Sequence, residues 1–430
     1  NVTMADDSRL SGFEIQPTGD GITASGIARF SIDSNVVIQA PGSGIRLSNI
    51  NSTDAVMVMN NQIDDSTLSG ILLESSGGFS GMLMNNQISD SGRHAIEIKD
   101  STFNGIIQGN RLATSSTDGL NIDRTFFNGM ITENTIDQNT QTGVEIRASK
   151  FSGEISRNTI AGTFQGTLSE AEASRIFTVD SQGNVTINSA PDQQGNSGVF
   201  LFGTAADTDA MIANNVISNF PYSGVNVQIP NLFDSVVPEA FFRGSIANNQ
   251  FNQSIFGVIL FDFDEVLTTG GNVVGNTFRE SLFGVNVSFF ATNSLFTGNI
   301  ERNTFINTDR QSIDVRADNF TGNVSDNIVT FTGDLADEDV NAGTTGIEIN
   351  LGLFRTGTFT YRSNISGNQV SGIETTGHEW DGIRELNNPL PRWWLWTFYA
   401  CVVWAIGYWI AMPAWPLVSD YTRGMLGHSQ

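Results

Sequence analysis

Residues 79–112, FSGMLMNNQISDSGRHAIEIKDSTFNGIIQGNRL, hold one short unit and the start of its copy. Phe79-x-Gly81 returns as Phe103-x-Gly105, and Asn86-Gln-Ile88 returns as Asn110-Arg-Leu112, each 24 residues on. Working outward, the Asn-x-apolar mark falls at Asn61, Asn86, Asn110, Asn134 and Asn158, and resumes at Asn215, Asn249, Asn276, Asn303, Asn327 and Asn368. A third mark, Gly-apolar-x-apolar, keeps step at Gly70, Gly119, Gly143, Gly224, Gly284 and Gly346. The marks alternate apolar and polar residues between Gly, Asn and Ser, which is the pattern of short strands between turns. Three strands in about 24 residues is too compact for a propeller blade, and no helix follows as in a leucine-rich repeat. The expected fold is all-β: a right-handed parallel β-helix over residues 1–371, with inward Ile, Leu, Val and Phe stacked in columns. Asparagine at a fixed turn position can hydrogen-bond to its copies in neighbouring coils.

Composition narrows the function classes. The 430 residues carry a net charge of −24 and only two lysines, Lys99 and Lys150. So acidic a surface repels nucleic acid, which is not expected as a partner. Cys401 is the single cysteine, so neither a disulfide framework nor a Cys/His metal spacing is available. The chain opens at Asn1 without a basic and apolar leader, in mid-pattern, as a fragment would.

Insertions are expected at 162–195, 228–241 and 330–345, the first with a short helix opened by Thr167 and Glu170. Outward pairs in successive coils read Glu97/Lys99, Asn121/Asp123 and Glu145/Arg147, the pattern of a solvated charge ladder. Near the insertions the outward positions turn apolar at Phe200, Phe202, Ile259 and Phe261. These form either a binding patch or a surface that the insertions cover. Asp334, Asp337, Glu338 and Asp339 offer oxygen ligands for calcium, or simply an acidic solvated loop.

The repeat resembles the pectate-lyase-like right-handed β-helices, and more loosely the β-helical passenger domains of bacterial surface proteins. The resemblance implies the fold; the same rod carries lyases, hydrolases, adhesins and inert spacers. A hydrolase of that superfamily would show Asn-Thr-Asp, a second acidic pair, Gly-His and Arg-x-Lys. Here Asn307-Thr308-Asp309 is present, but no Arg-x-Lys follows, and Asp64-Asp65 lies many coils away. No catalytic residue is therefore assigned, and the chain is expected not to be an enzyme.

The composition changes near Gly372. All seven tryptophans lie between Trp380 and Trp415. Residues 393–412 are free of charge and long enough to cross a hydrocarbon core of about 30 Å. Trp393, Trp394, Trp396 and Tyr399 ring one end, and Tyr408, Trp409 and Trp415 the other, as at membrane interfaces. The expected order is a linker at 372–392, a transmembrane helix at 393–417 and a tail at 418–430. The run from His378-Glu379-Trp380-Asp381-Gly382-Ile383 through Asn387-Asn388-Pro389-Leu390-Pro391-Arg392-Trp393-Trp394 closely resembles the N-terminal anchor of the di-haem subunit of cbb-type cytochrome oxidases. That implies an anchor in a bacterial inner membrane, with other oxidase subunits as partners. No Cys-x-x-Cys-His is present, so no covalent haem is expected, and no other cofactor. Two unrelated sequences meet near Ser371, by a fusion or in assembly of the reading frame.

The expected function is a structural or adhesive rod tethered to a membrane, with a surface polysaccharide or protein as its ligand. The alternatives are a haem-free component of the oxidase complex and a polysaccharide lyase or hydrolase.

Overall fold

The computed structural model describes residues 1–52, 56–147, 150–164, 177–179, 185–187, 196–202, 207–229, 241–262, 268–289, 294–308, 311–331, 345–351, 362–371, 375–380, 383–386, 392–412 and 425–426. The chain divides into two compact units, Asn1–Ser371 and Gly372–Gln430.

The first unit is a parallel β-solenoid. Among the described residues, one sheet has 24 strands, a second has 13, and a third line comprises groups of five, two and three strands. Register follows the repeat, with Ile63 opposite Ile88 and Ile71 opposite Ile96. Ile107 likewise faces Ile131. All six side chains are essentially buried, as period-2 alternation around a filled interior requires.

The sequence marks are coupled in space. A Cβ on Gly70 would lie 2.3 Å from Ile88 Cγ2, so glycine is needed where the next coil's Asn-x-Ile strand packs. Later, Phe replaces that Ile, and a Cβ on Gly257 would lie 2.2 Å from Phe278 Cδ1. Phe79, Phe103, Phe127 and Phe151 form an interior stack with centroids 5.2, 4.9 and 5.1 Å apart. Phe251, Phe278 and Phe305 form another at 4.9 and 4.8 Å. These separations match the spacing of paired strands, about 4.8 Å, so the ladder itself sets the stacking distance.

Most of the three expected insertions lies outside the described residues, including Thr167 and Glu170. Within the first, Phe177–Val179 pairs antiparallel with Val185–Ile187. The solenoid register continues past it, since Thr159 pairs with Val216. Past the second insertion, Val216 pairs with Gln250.

In the second unit, Thr375–Trp380 and Ile383–Leu386 pair antiparallel. One helix, α1, runs Arg392–Ala411. The expected span of 393–417 is thus a helix of 20 residues starting one residue earlier. Among the described residues, no helix is long and apolar enough to cross a membrane. Aliphatic residues are outnumbered in α1 by tryptophans, tyrosines and small residues, and indole and phenol carry polar tips that lower its mean hydropathy.

Candidate functional site

The most regular polar feature is interior. Asn35, Asn61, Asn86, Asn110, Asn134, Asn158, Asn215, Asn249, Asn276, Asn303, Asn327 and Asn368 form one continuous ladder. Each rung uses the amide fully. Asn134 Oδ1 accepts from the Asn110 backbone N–H and from Asn110 Nδ2, both at 2.9 Å. Asn134 Nδ2 donates to Asn158 Oδ1 at 3.0 Å and to the Ile107 carbonyl at 2.9 Å. The ladder crosses the first insertion unbroken, from Asn158 to Asn215. The residue before each rung turns through positive φ, as at Asn60, Asn85, Glu133 and Arg157. The buried hydroxyls of Ser66, Ser91, Ser115, Ser254 and Ser281 have no partner among the described residues.

The outer face departs from a solvated ladder. Glu97, Asn121 and Glu145 are only 4, 8 and 6% exposed, whereas Lys99, Asp123 and Arg147 are partly or fully open. The turn before each strand leans over the first column: Ser69 Oγ donates to Glu97 Oε2 at 2.5 Å, and Asn121 Nδ2 donates to Asp118 Oδ2 at 3.1 Å. Asp118 Oδ2 also lies 3.1 Å from His94 Nδ1, and Asp118 Oδ1 accepts the Thr142 backbone N–H at 3.0 Å. Lys99 and Asp123 are register partners, but Lys99 instead approaches Glu74 and Glu97, at 3.5 Å each, and Arg147 pairs with Glu145 on its own strand. Burial alone would raise the Glu97 carboxyl, but the Ser69 hydroxyl and the charges of His94, Lys99 and Arg93 hold it below its ordinary value. Burial, and then the Asp118 charge, push Glu145 up. The carboxylates of Glu97, Asp118 and Glu145 are each held by neighbours and turned away from water.

The apolar part of that face is mostly covered. Phe200 and Ile259 are each 1% exposed, and Phe202 is half-buried. Arg147 lies 6.0 Å from the Phe200 ring centroid and 5.3 Å from that of Phe202. The Phe261 side chain lies outside the described residues. Beyond it, Asp314 is fully buried, accepting from Asn286 Nδ2 at 2.9 Å and pairing with Arg316 at 2.9 Å. Desolvation raises its carboxyl to about 6.

Of the hydrolase-like triplet, Thr308 is buried against Ser312, Asn307 occupies a positive-φ turn, and Asp309 lies outside the described residues. The calcium candidates Asp334, Asp337, Glu338 and Asp339 lie outside them too. Among the described residues, no three His, Cys, Asp or Glu side chains are grouped to hold a metal ion. In α1, Trp394, Trp396, Tyr399, Tyr408 and Trp409 are exposed, while Trp415 and the Trp393 side chain lie outside the described residues. The sequence reading missed the His94–Asp118–Glu145 cluster and Asp314; their signal was a polar residue just before, or an acid within, the Gly-apolar-x-apolar strand.

Comparison with known proteins finds two separate matches, the second beginning where the second unit begins. Residues 1–197 match the family model described as periplasmic copper-binding protein (NosD). Residues 372–419 match the N-terminal domain of cytochrome oxidase-cbb3, FixP. The cbb3-type cytochrome c oxidase subunit FixP of Azorhizobium caulinodans is 79% identical over 58 residues, 14% of this chain and 20% of that protein. FixP of Rhizobium meliloti is 69% identical over 61 residues, 14% of this chain and 21% of that protein. The chain thus spans about a fifth of the length of the curated relatives it matches. The catalytic unit of a GH87 α-1,3-glucanase from Streptomyces thermodiastaticus aligns at TM-score 0.43 and 16% identity, over 89% of this chain and 65% of that one, too distant to inform its reading. The chain carries a NosD-like parallel β-helix followed by a segment that matches the FixP N-terminal domain.

Proposed function

We propose that this chain is a non-enzymatic β-helical rod, structural or adhesive, held at a membrane by α1. The unbroken asparagine ladder is the observation that carries the rod: it makes the interior a solid column, with the polar groups of each rung consumed by the next. We take the winding as right-handed, the hand that parallel connections between L-residue strands favour. Membrane attachment is supported by α1 itself. Trp396, Val403 and Trp404 are 74, 70 and 70% exposed, and further apolar side chains surround the helix. A helix apolar all round needs lipid or protein about it. Fractionation tests this: the full chain should stay with membranes after alkaline carbonate washing and leave only in detergent. A chain recovered in the wash contradicts the tether.

A second reading is a component of a cbb-type oxidase, favoured by the 79% identity of the terminal segment to a FixP subunit. It predicts co-purification of haem-bearing subunits with the full chain; a chain that purifies alone in mild detergent sinks it. An unbroken long DNA read across the codons for residues 360–385 would make the join near Ser371 a real fusion. A lyase or hydrolase role is disfavoured by the burial of Glu97, Asp118 and Glu145, and release of reducing or unsaturated ends from uronic-acid polymers would revive it.

The description of the NosD family brings copper to this chain as a proposal. The described His, Cys, Asp and Glu side chains do not group as its ligands. Methionine thioether is a further donor type that copper accepts.

A further inference from the structure

Two Met-x-Met strands lie side by side. Met57–Met59 pairs in parallel with Met82–Met84, with Met57 opposite Met82 and Met59 opposite Met84. The central Val58 and Leu83 are fully buried, so the four flanking methionines stand on the outer face, each half-buried. Farther along the same column come Met130 and Met211, so six of the nine methionines of the chain belong to this one face. Strand geometry sets the roots of the four side chains on a rectangle of about 4.8 by 6.7 Å. Methionine is unbranched and flexible, so sulfurs rooted this closely can converge on one ion. Thioether sulfur is a soft, neutral donor that selects Cu(I) over Ca²⁺, Mg²⁺ or Zn²⁺. Among the described residues, the carboxylate next in register is Asp33, opposite Met59 and ion-paired with Arg9 at 2.6 Å, so it does not turn the patch into a hard-cation site.

We propose that Met57, Met59, Met82 and Met84 form a binding site for a soft monovalent metal ion, Cu(I), on the outer face of the solenoid. The site deepens the copper reading above but rests on register and donor chemistry, not on it. No oxidation or reduction is involved; the ion arrives and leaves as Cu(I).

The test is anaerobic Cu(I) titration of the full chain in detergent, in competition with a colorimetric Cu(I) chelator, with Ag(I) as a redox-inert second probe. The wild type should withdraw one equivalent of either ion and ignore Zn²⁺ and Ca²⁺. The variant M57L/M59L/M82L/M84L keeps side-chain volume, and so the fold, and should bind at least 100-fold more weakly. M130L/M211L should bind as the wild type does. X-ray absorption of the Cu(I)-loaded chain should show sulfur neighbours that the fourfold variant lacks. Equal binding by the fourfold variant overturns this site while leaving a copper role open; no Cu(I) binding by the wild type overturns both. A fourfold variant whose circular dichroism or thermal midpoint departs from the wild type is replaced by M57L/M82L, which should weaken binding at least tenfold; unchanged binding there also overturns the site.

Discussion

At the residue scale, side chains that look alike in the repeat have unlike roles. The Asn134 side chain makes five hydrogen bonds in the interior, while Ser91 is buried with a hydroxyl that has no partner among the described residues. Removing one partner of a buried hydrogen bond strands the other, at about 1–3 kcal/mol per group. Asn134→Ala should therefore cost on the order of 3–5 kcal/mol, whereas Ser91→Ala should be neutral or stabilising, as comparison of their thermal midpoints will show. Equal losses would mean that the ladder bonds contribute little. Asp314 gives a pH signature. Its folded carboxyl is raised from 3.8 to about 6, so between those values the unfolded chain has released a proton that the folded chain still holds. Stability then falls as pH rises through this window, and the loss is complete above the folded value. Asp314→Asn should remove that slope and raise stability at pH 7 by about 3 kcal/mol relative to wild type, with no gain at pH 3.5. A gain of the same size at both pH values would contradict this account of Asp314.

At the scale of elements, the three marks of the repeat are one packing unit. Glycine is absent a Cβ where an Ile or Phe of the next coil enters, and the phenylalanines stack at the strand spacing. Phe278→Ala opens a cavity between Phe251 and Phe305 and should cost about 3–5 kcal/mol. Phe126→Ala removes a ring that is 56% exposed on a neighbouring type of strand and should change stability by less than about 1 kcal/mol. Both are read from thermal unfolding; similar losses would place Phe126 in the core and displace the register. The strands and their inward faces were legible because period-2 alternation and 24-residue recurrence act together. The outer column was not. Glu97 and Glu145 look like solvated charges in sequence, yet Glu97 is held across coils by the turn residue Ser69, and Glu145 is buried with Arg147 paired to it on its own strand. The Met-x-Met pair was present as plain repetition, but its meaning depends on Met57 and Met82 being neighbours across strands. For α1, the uncharged length was legible, while its aromatic content sets its hydropathy below that of an aliphatic span.

At the scale of the molecule, the solenoid turns local repetition into a long-range contact order of one coil. Residues 24 apart touch, and so do residues 57 apart where an insertion intervenes, because Asn215 takes the rung after Asn158. The insertions were visible as gaps in the period; that the register closes behind them was not, because spacing alone cannot say which coil a strand joins. Stability in such an array is a sum of coils and their interfaces, so damage at one rung is felt chiefly by its neighbours. The central claim is the stacking itself, and disulfide trapping tests it most directly. In a Cys401→Ser background, Thr159→Cys with Val216→Cys places two thiols on register partners that face outward across the first insertion. Paired strands are about 4.8 Å apart, within the Cα range of a disulfide. Mild oxidation should close this pair rapidly and within one chain, while Thr159→Cys with Gln250→Cys, one coil farther, should stay reduced. The reverse pattern, or no closure of either pair, would contradict the stacked solenoid.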